Sequence, residues 1–389
     1  MTIPLLDLRQ QYRAIKGEID TALAEVFGSQ RFILGPVVER FETSVAARLN
    51  TKYAIGVASG SDALLLGLMA LGVGHGDEVI TTPFSFFATA GAIARLGATP
   101  VFVDIEERGY NMCTVELEKY MDGHAVRAGK TTKNGKSRKR IAAIMPVHLY
   151  GQCCNMDRLM RLARKYRVPV IEDAAQAIAA TFDGKPAGLF GDVGCFSFFP
   201  SKNLGAWGDG GLVTTQRARL GKLLKMLRVH GSEKRYYHDY VGINSRLDAI
   251  QAAVLDVKLR HLDQWMSARQ RNADNYDRLI TEAGIADKVI APARLPKRSH
   301  VFHQYVVRCL HRDELRAYLK QNGVETEVYY PVPLHLQKCF KPLGYRPGSF
   351  PRSERASREV LALPMFPELT DAQQREVVGR IAEFLRTAS

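Results

Sequence analysis

The feature that most restricts this chain is an alternation between residues 53 and 215. Apolar runs of strand length take turns with stretches of helix length. "YAIGVAS" (53–59) predicts a buried strand and "DALLLGLMALG" (62–72) a helix. "EVITTP" (78–83) and "FFATAGAIARLG" (86–97) repeat the pair, and "PVFVDI" (100–105) adds a strand. Farther on, "IAAIMPVHLYG" (141–151) and "VPVIEDAA" (168–175) predict strands flanking the helical "MDRLMRLARKYR" (156–167). Strands in "VGCFSFF" (193–199) and "GGLVTTQ" (210–216) follow. Apolar strands separated by helices are buried on both faces. That implies an α/β fold, a mostly parallel sheet flanked by helices. Ligands on such sheets bind outside the carboxyl ends of the strands.

The flanking regions read differently. Tyr12, Ile15, Ile19, Leu23 and Val26 recur at helical spacing, and Val38, Phe41, Val45 and Leu49 mark a second helix after Gly35-Pro36. A long helix is expected from about 245 to 276. Beyond it, "HVFHQYVVRCL" (300–310) predicts a strand, "RDELRAYLKQNG" (312–323) a helix and "VETEVYYP" (324–331) another strand. With 389 residues, the chain is expected to form two cores: a large domain over 1–264 and a smaller C-terminal α+β domain over 265–389.

Charge and cysteine content exclude several functions. The net charge is +14. "HAVRAGKTTKNGKSRKR" (124–140) holds seven Lys/Arg and no acid, so it supplies half of that excess. It shows no helical or strand period and predicts a solvated, mobile basic loop inserted in the large domain. No nucleic-acid motif occurs elsewhere, so the charge is not read as nucleic-acid binding. No run of eighteen apolar residues exists, and no membrane association is expected. The N-terminus carries Asp7 and Arg9 and lacks an apolar signal core, which reads as cytoplasmic. Cysteines at 113, 153, 154, 195, 309 and 339 form no C-x-x-C pair; reduced thiols and no metal site are expected. "GVGHGDEV" (72–79) follows a helix and precedes a strand, the wrong order for a dinucleotide loop.

Four stretches carry chemistry. "SFFPSKNLGAWGDGG" (197–211) places Lys202 just beyond a buried strand, among glycines that let backbone approach a ligand. A desolvated lysine loses its proton more easily and can form a Schiff base with a carbonyl. "VPVIEDAAQA" puts Asp173 at the end of another apolar strand, where a carboxylate needs a partner; the protonated ring nitrogen of pyridoxal 5'-phosphate (PLP) is one. Glu172 would face the other way. "ASGSDALLLG" runs strand, turn, helix, so Gly60 and Ser61 stand where a helix N-terminus takes up phosphate. "TPFSFFATAGA" offers Phe86 among three phenylalanines as a ring to stack on a cofactor.

These stretches, with "FILGPVVERFE", "PVHLYGQ", "NSRLDAIQAAVL", "YPVPLHLQ" and "LPMFPEL", resemble the PLP-dependent nucleotide-sugar aminotransferases, the DegT/StrS group of fold-type-I enzymes, over nearly the whole chain. The resemblance implies roles. Lys202 would carry the cofactor, Asp173 would hold its ring nitrogen, and Gln176 would lie near its hydroxyl. Gly60, Ser61 and Ser197 would bind the phosphate, Phe86 would stack, and Asn244 would reach the phosphate of a partner subunit in a homodimer. L-glutamate would donate the amine, leaving 2-oxoglutarate, and a nucleotide-linked keto-sugar would accept it. Ser245, where carbon-4 members more often have tyrosine, suggests amination at carbon 3. The overall match is closest to enzymes acting on a UDP-linked 3-keto N-acetylhexosaminuronic acid, with dTDP-3-keto-6-deoxyhexoses or 4-keto-sugars as alternatives, and a sugar- or PLP-sensing regulator as the non-enzyme one. Arg246, Tyr329, Tyr330 and His335 would line the sugar site. Arg246 suits a uronate carboxylate, or else a structural ion pair; Tyr329 stands where some uronate-type members have histidine.

Overall fold

A computed structural model describes residues 2–129 and 131–387. Two helices open the chain, α1 (Leu8–Ser29) and α2 (Pro36–Leu49). The Asp7 carboxylate caps the first by accepting from Arg9 N–H. The expected alternation follows: β1 (Tyr53–Val57), α3 (Gly60–Ala70), β2 (Glu78–Thr81), α4 (Phe87–Arg95), β3 (Thr99–Phe102) and α5 (Thr114–His124). After a hairpin, β4 (Ala125–Ala128) and β5 (Thr131–Asn134), come β6 (Ile141–Ile144), α6 (Met156–Tyr166) and β7 (Ile171–Asp173). A second small hairpin, β8 (Thr181–Phe182) and β9 (Lys185–Pro186), leads to β10 (Val193–Ser197), β11 (Gly211–Thr215) and α7 (Ala218–Leu227).

β3, β2 and β6 pair in parallel, and β7 pairs in parallel with β10. Parallel bridges from Ile144 to Val170 and from Val147 to Asp173 join the two groups. β11 lies antiparallel between β10 and β1 and is the one reversed strand. The sheet therefore runs β3-β2-β6-β7-β10-β11-β1 and is mostly parallel, as expected. The carboxyl ends of β1, β2, β7 and β10 lead directly into residues 58–61, 82–86, 174–176 and 198–202. All four stretches singled out in the sequence thus leave the sheet at strand ends.

A third hairpin, β12 (Ser232–Lys234) and β13 (Tyr237–His238), precedes α8 (Ala249–Glu282), a helix of 34 residues. The C-terminal part then holds β14 (Val289–Ile290), β15 (Tyr305–Cys309), α9 (Arg312–Gln321), α10 (Pro351–Glu359), β16 (Val360–Leu363) and α11 (Asp371–Thr387). The helix α8 runs unbroken through position 264. Its residues up to Met266 pack with the core that includes Ile15, Phe41 and Leu159, whereas Ala273 onward packs with Tyr305, Leu315 and Val377.

Two expectations are corrected. The basic stretch 124–140 is not a loop without period: it forms the β4–β5 hairpin, apart from Lys130, which lies outside the described residues. Along β5, Thr132 and Asn134 turn inward while their neighbours stay exposed. Asn134 Nδ2 donates to Glu78 Oε2 (2.9 Å) and to the Tyr120 hydroxyl (2.9 Å), and Arg140 pairs with Asp77. The two-residue period is carried by polar side chains, which a hydrophobic pattern does not register. The second correction concerns "VETEVYYP". It makes only isolated bridges, Val324 to Ile3 and Glu327 to Ala362. β15 lies between β14 and β16, and the longer of these partners is β16, "VLAL", which the sequence reading missed. Among the described residues no disulfide forms; five of the six thiols are buried and Cys339 is exposed. No described helix is long and apolar enough to cross a membrane.

Candidate active site

Asp173 closes β7 and is 5 % exposed. Its Oδ2 accepts from Thr89 Oγ1 (2.8 Å), which lies 2.8 Å from Ser85 Oγ; its Oδ1 accepts from Ala175 N–H (3.2 Å). Because Thr89 donates to the carboxylate, Ser85 donates to Thr89. Burial raises the pKa of Asp173 above the ordinary carboxylate value, opposed by these hydrogen bonds and by the charge of Lys202. Both oxygens keep a lone pair for a further donor.

Glu172 faces away, as strand alternation requires. It is fully buried and accepts from the backbone N–H of Gly188 (2.8 Å), Phe190 (2.6 Å) and Gly191 (2.6 Å), and lies 2.9 Å from His148 Nε2. Cys154 N–H donates to His148 Nδ1 (3.1 Å), so that ring carries its hydrogen on Nε2 and donates it to Glu172. This satisfied carboxylate has no capacity left over for a ligand; it fastens the 188–191 turn.

Lys202 follows β10 in a tight turn, with its N–H donating to Phe199 C=O (2.8 Å). Its side chain is half-buried, and its amine lies deep enough that lost hydration pushes the pKa down to about 8, against the attraction of Asp173. A lysine near pH 8 keeps a usable fraction of free amine at neutral pH. Its neighbour His303 is buried, with no partner for Nδ1 among the described residues. Burial first, then the positive charges of Lys202 and Arg269, drive its pKa well down.

A concave backbone surface lies beside this pair. A methyl group on Gly60 would come within 2.5 Å of Ser197 Cβ, and one on Gly211 within 2.3 Å of Ser59 C=O. Only glycine lets β1, β10 and β11 converge so closely. Ser59 Oγ caps α3 at Asp62 N–H (3.1 Å), and among the described residues the N–H groups of Gly60 and Ser61 have no acceptor at this helix N-terminus. Ser61 is exposed, and Ser245 Oγ steadies the approach by accepting from Ala58 N–H (3.1 Å). Phe86, at the start of α4, leaves its ring 55 % exposed, with Tyr330 at 6.1 Å between centroids. Gln176 is held at both ends: Oε1 accepts from Tyr150 N–H (2.7 Å) and Nε2 donates to the Tyr330 hydroxyl (3.0 Å). The Tyr150 hydroxyl donates to Tyr329 C=O. An anion cradle, a carboxylate with spare lone pairs, a free aromatic face and a depressed lysine together fit PLP.

The remaining sequence-derived residues fall in three places. Asn244 is exposed on the surface. Arg246 is half-buried and, among the described residues, makes no hydrogen bond or ion pair, so the structural ion pair is not formed. His335 corrects its expectation. Its side chain is fully enclosed, 3.1 Å from Glu354 Oε1 and edge-on to Phe350, so it supports the 334–350 segment and has no face for a substrate. Sequence reasoning gave no role to Thr89, His148, Tyr150 or His303. The one available signal for Thr89 was a hydroxyl within the apolar "FATAGAIA".

The sequence profile of the DegT/DnrJ/EryC1/StrS aminotransferase family matches residues 13–382. The chain is 50 % identical over 386 residues to a protein of Geobacillus stearothermophilus called a pleiotropic regulatory protein, covering 99 % of each. It is 41 % identical to the UDP-N-acetyl-3-dehydro-alpha-D-glucosamine 3-aminotransferase of Acidithiobacillus ferrooxidans, covering 99 % of this chain and 97 % of the other. It is 40 % identical to the UDP-2-acetamido-2-deoxy-3-oxo-D-glucuronate aminotransferase of Pseudomonas aeruginosa, covering 95 % and 97 %. Among solved structures, DesV of S. venezuelae in complex with a ketimine intermediate superposes with a TM-score of 0.90 at 40 % identity, covering 98 % of each chain. With this match along nearly its whole length, the chain belongs to the DegT/DnrJ/EryC1/StrS aminotransferase family, in the type I fold of PLP-dependent transferases.

Proposed function

We propose that this protein moves an amino group from L-glutamate to carbon 3 of a nucleotide-linked keto-sugar of the UDP-2-acetamido-3-keto-glucuronate type, using PLP at Lys202. The observation that carries the reading is a lysine amine and a buried carboxylate brought to neighbouring strand ends, each feeling the charge of the other. PLP supplies an electron sink when bound.

The residues divide the remaining work. Asp173 keeps a charged ring nitrogen in place, with Thr89 and Ala175 fixing its two oxygens. Gly60 and Ser61 N–H groups and the Ser197 hydroxyl take the phosphate. Phe86 covers one face of the ring, and Gln176 sits at its edge. Lys202 Nζ, as a free amine, would take a proton from, or return one to, the nitrogen-bearing carbon of whichever substrate is bound. Arg246, without a partner among the described residues, would offer a guanidinium fork to a substrate carboxylate, and Tyr329 and Tyr330 would contribute to the sugar site. Two relatives named for action on UDP-linked 3-keto sugars support the carbon and the nucleotide. Exposed apolar side chains, including Phe32, Ile33, Phe199, Trp207 and Val241, favour a homodimer in which Asn244 reaches the partner.

The name of the Geobacillus relative favours a regulatory second reading. A sensor of the sugar alone, however, needs neither a depressed lysine nor a buried carboxylate. Running the purified protein in reverse, with 2-oxoglutarate and a panel of 3-amino and 4-amino UDP- and dTDP-sugars, separates these readings. Glutamate formed from the UDP-3-amino uronate is expected. Faster turnover of a dTDP- or 4-amino sugar would move the substrate assignment, and none from any sugar would favour the sensor.

A further inference from the structure

The turn that carries Lys202 is held from one side by a single helix. Within the turn, Lys202 N–H donates to Phe199 C=O (2.8 Å) and Ala206 N–H to Phe198 C=O (2.8 Å). Gly205 packs so tightly that a methyl group there would lie 2.3 Å from Pro200 C=O. Three groups just beyond Lys202 are met by α8. Gln251 brackets Trp207, accepting from its N–H (2.8 Å) and donating to its C=O (3.4 Å). Lys258 Nζ donates to Gly205 C=O (2.7 Å). Asn203 Nδ2 donates to Met266 Sδ (3.2 Å). Positions 251, 258 and 266 are spaced by about two helical turns, so they share one stripe of α8.

Lys258 is the odd member of that stripe. It is 3 % exposed, and among the described residues no carboxylate pairs with it; Gly205 C=O is its one hydrogen-bond partner. Lost hydration pushes its pKa down to about 8. An apolar side chain would fill the same slot without the desolvation cost of an amine. The cost is offset if the carbonyl it holds must not move.

We propose that Lys258 is a positioning residue for Lys202: by anchoring the Gly205 carbonyl to α8, with Gln251 as a second anchor at Trp207, it fixes the turn that keeps the Lys202 amine in its desolvated place. The inference rests on reading Lys202 as the reacting amine. Losing the anchor strands a buried carbonyl and lets the turn relax toward water, so Lys202 should hold its proton more tightly.

The test reads that proton directly. Full-length protein without cofactor is pulse-acetylated across a pH series, and the modification of Lys202 is followed by mass spectrometry. In Lys258→Met, labelling of Lys202 at pH 7.5 is expected to fall about five- to tenfold, with a matching rise in the pH midpoint. Lys258→Arg, which keeps a donor, is expected to restore labelling to within about twofold. PLP affinity, read by absorbance titration, should weaken about tenfold in Lys258→Met. A lower melting temperature with an unchanged Lys202 midpoint would make Lys258 merely structural and overturn the proposal. If Lys258→Met does not fold, Gln251→Leu serves. It should shift the midpoint in the same direction, with labelling down about two- to threefold, and no shift there overturns the proposal equally. Failure of the unmodified protein to bind PLP would sink the proposed function while leaving the labelling result for Lys258 readable.

Discussion

Replacing Lys202 with methionine should make the cofactor-free protein more stable, by an amount that depends on pH. The amine is desolvated in the fold, with a pKa lowered from 10.5 to about 8. Below pH 8 it is charged in both folded and unfolded chains, so the full burial penalty falls on the native state. That displacement is worth about 3 kcal/mol, trimmed to about 2–3 kcal/mol because part of the side chain remains accessible. The sign follows from linkage. The unfolded chain binds the proton more tightly, so the native protein gains stability as pH rises from about 8 toward 10.5, and the advantage of methionine shrinks over that window. Methionine has nearly the same length and no charge, so little cavity forms. Urea unfolding of both cofactor-free proteins at pH 6.5, 8 and 9.5 measures the difference. Equal stability at pH 6.5, or a gap that fails to narrow by pH 9.5, would refute the claim that the fold holds this amine under strain for reaction.

Three further outcomes follow from the same site. Thr89→Val keeps the side-chain shape but removes the hydroxyl from Asp173; PLP affinity should fall about tenfold or more, with Thr89→Ser restoring it, and an unchanged titration curve would dismiss the hydroxyl chain. Gly60→Ala drives a methyl group against Ser197; the melting temperature should fall, and in the protein that remains folded, affinity for PLP and for inorganic phosphate should drop together by about tenfold, whereas a loss confined to PLP would place the phosphate elsewhere. Asp173→Asn should stabilise the cofactor-free protein at neutral pH and abolish activity. Because the Asp173 pKa is raised in the fold, the wild type recovers as pH falls through that raised value, and the difference should vanish below the ordinary carboxylate range; a stability gap independent of pH would contradict this.

Much of the fold was legible because burial writes itself into sequence. Strands covered on both faces must be apolar along their whole length, so β1, β2, β6, β7 and β10 declared themselves, as did the amphipathic α1, α2 and α6. The basic hairpin did not. Its inward residues are Thr132 and Asn134, which meet Glu78 and the main chain through hydrogen bonds, and a hydrophobic period carries no trace of that. "VETEVYYP" failed for the opposite reason: its apolar residues suggest a strand, but it meets β16 only at the single Glu327–Ala362 bridge.

The sequence by itself determined the chemical identities: a lysine and an aspartate at strand ends, glycine at 60 and 211, a parallel sheet to bring the ends together. These follow from residue type and periodicity, which are local properties. Only the tertiary structure decided which of those groups are strained and which are satisfied. Glu172 and Asp173 are adjacent carboxylates, yet one is saturated by three N–H groups and an imidazole while the other keeps lone pairs to spare. Lys202 and Lys258 are both desolvated, yet one faces a carboxylate and the other a carbonyl. His335 looked available and proved enclosed. Desolvation and hydrogen-bond satisfaction depend on atoms brought from distant parts of the chain, so they come into being only when the sheet, α8 and the C-terminal core close around the site.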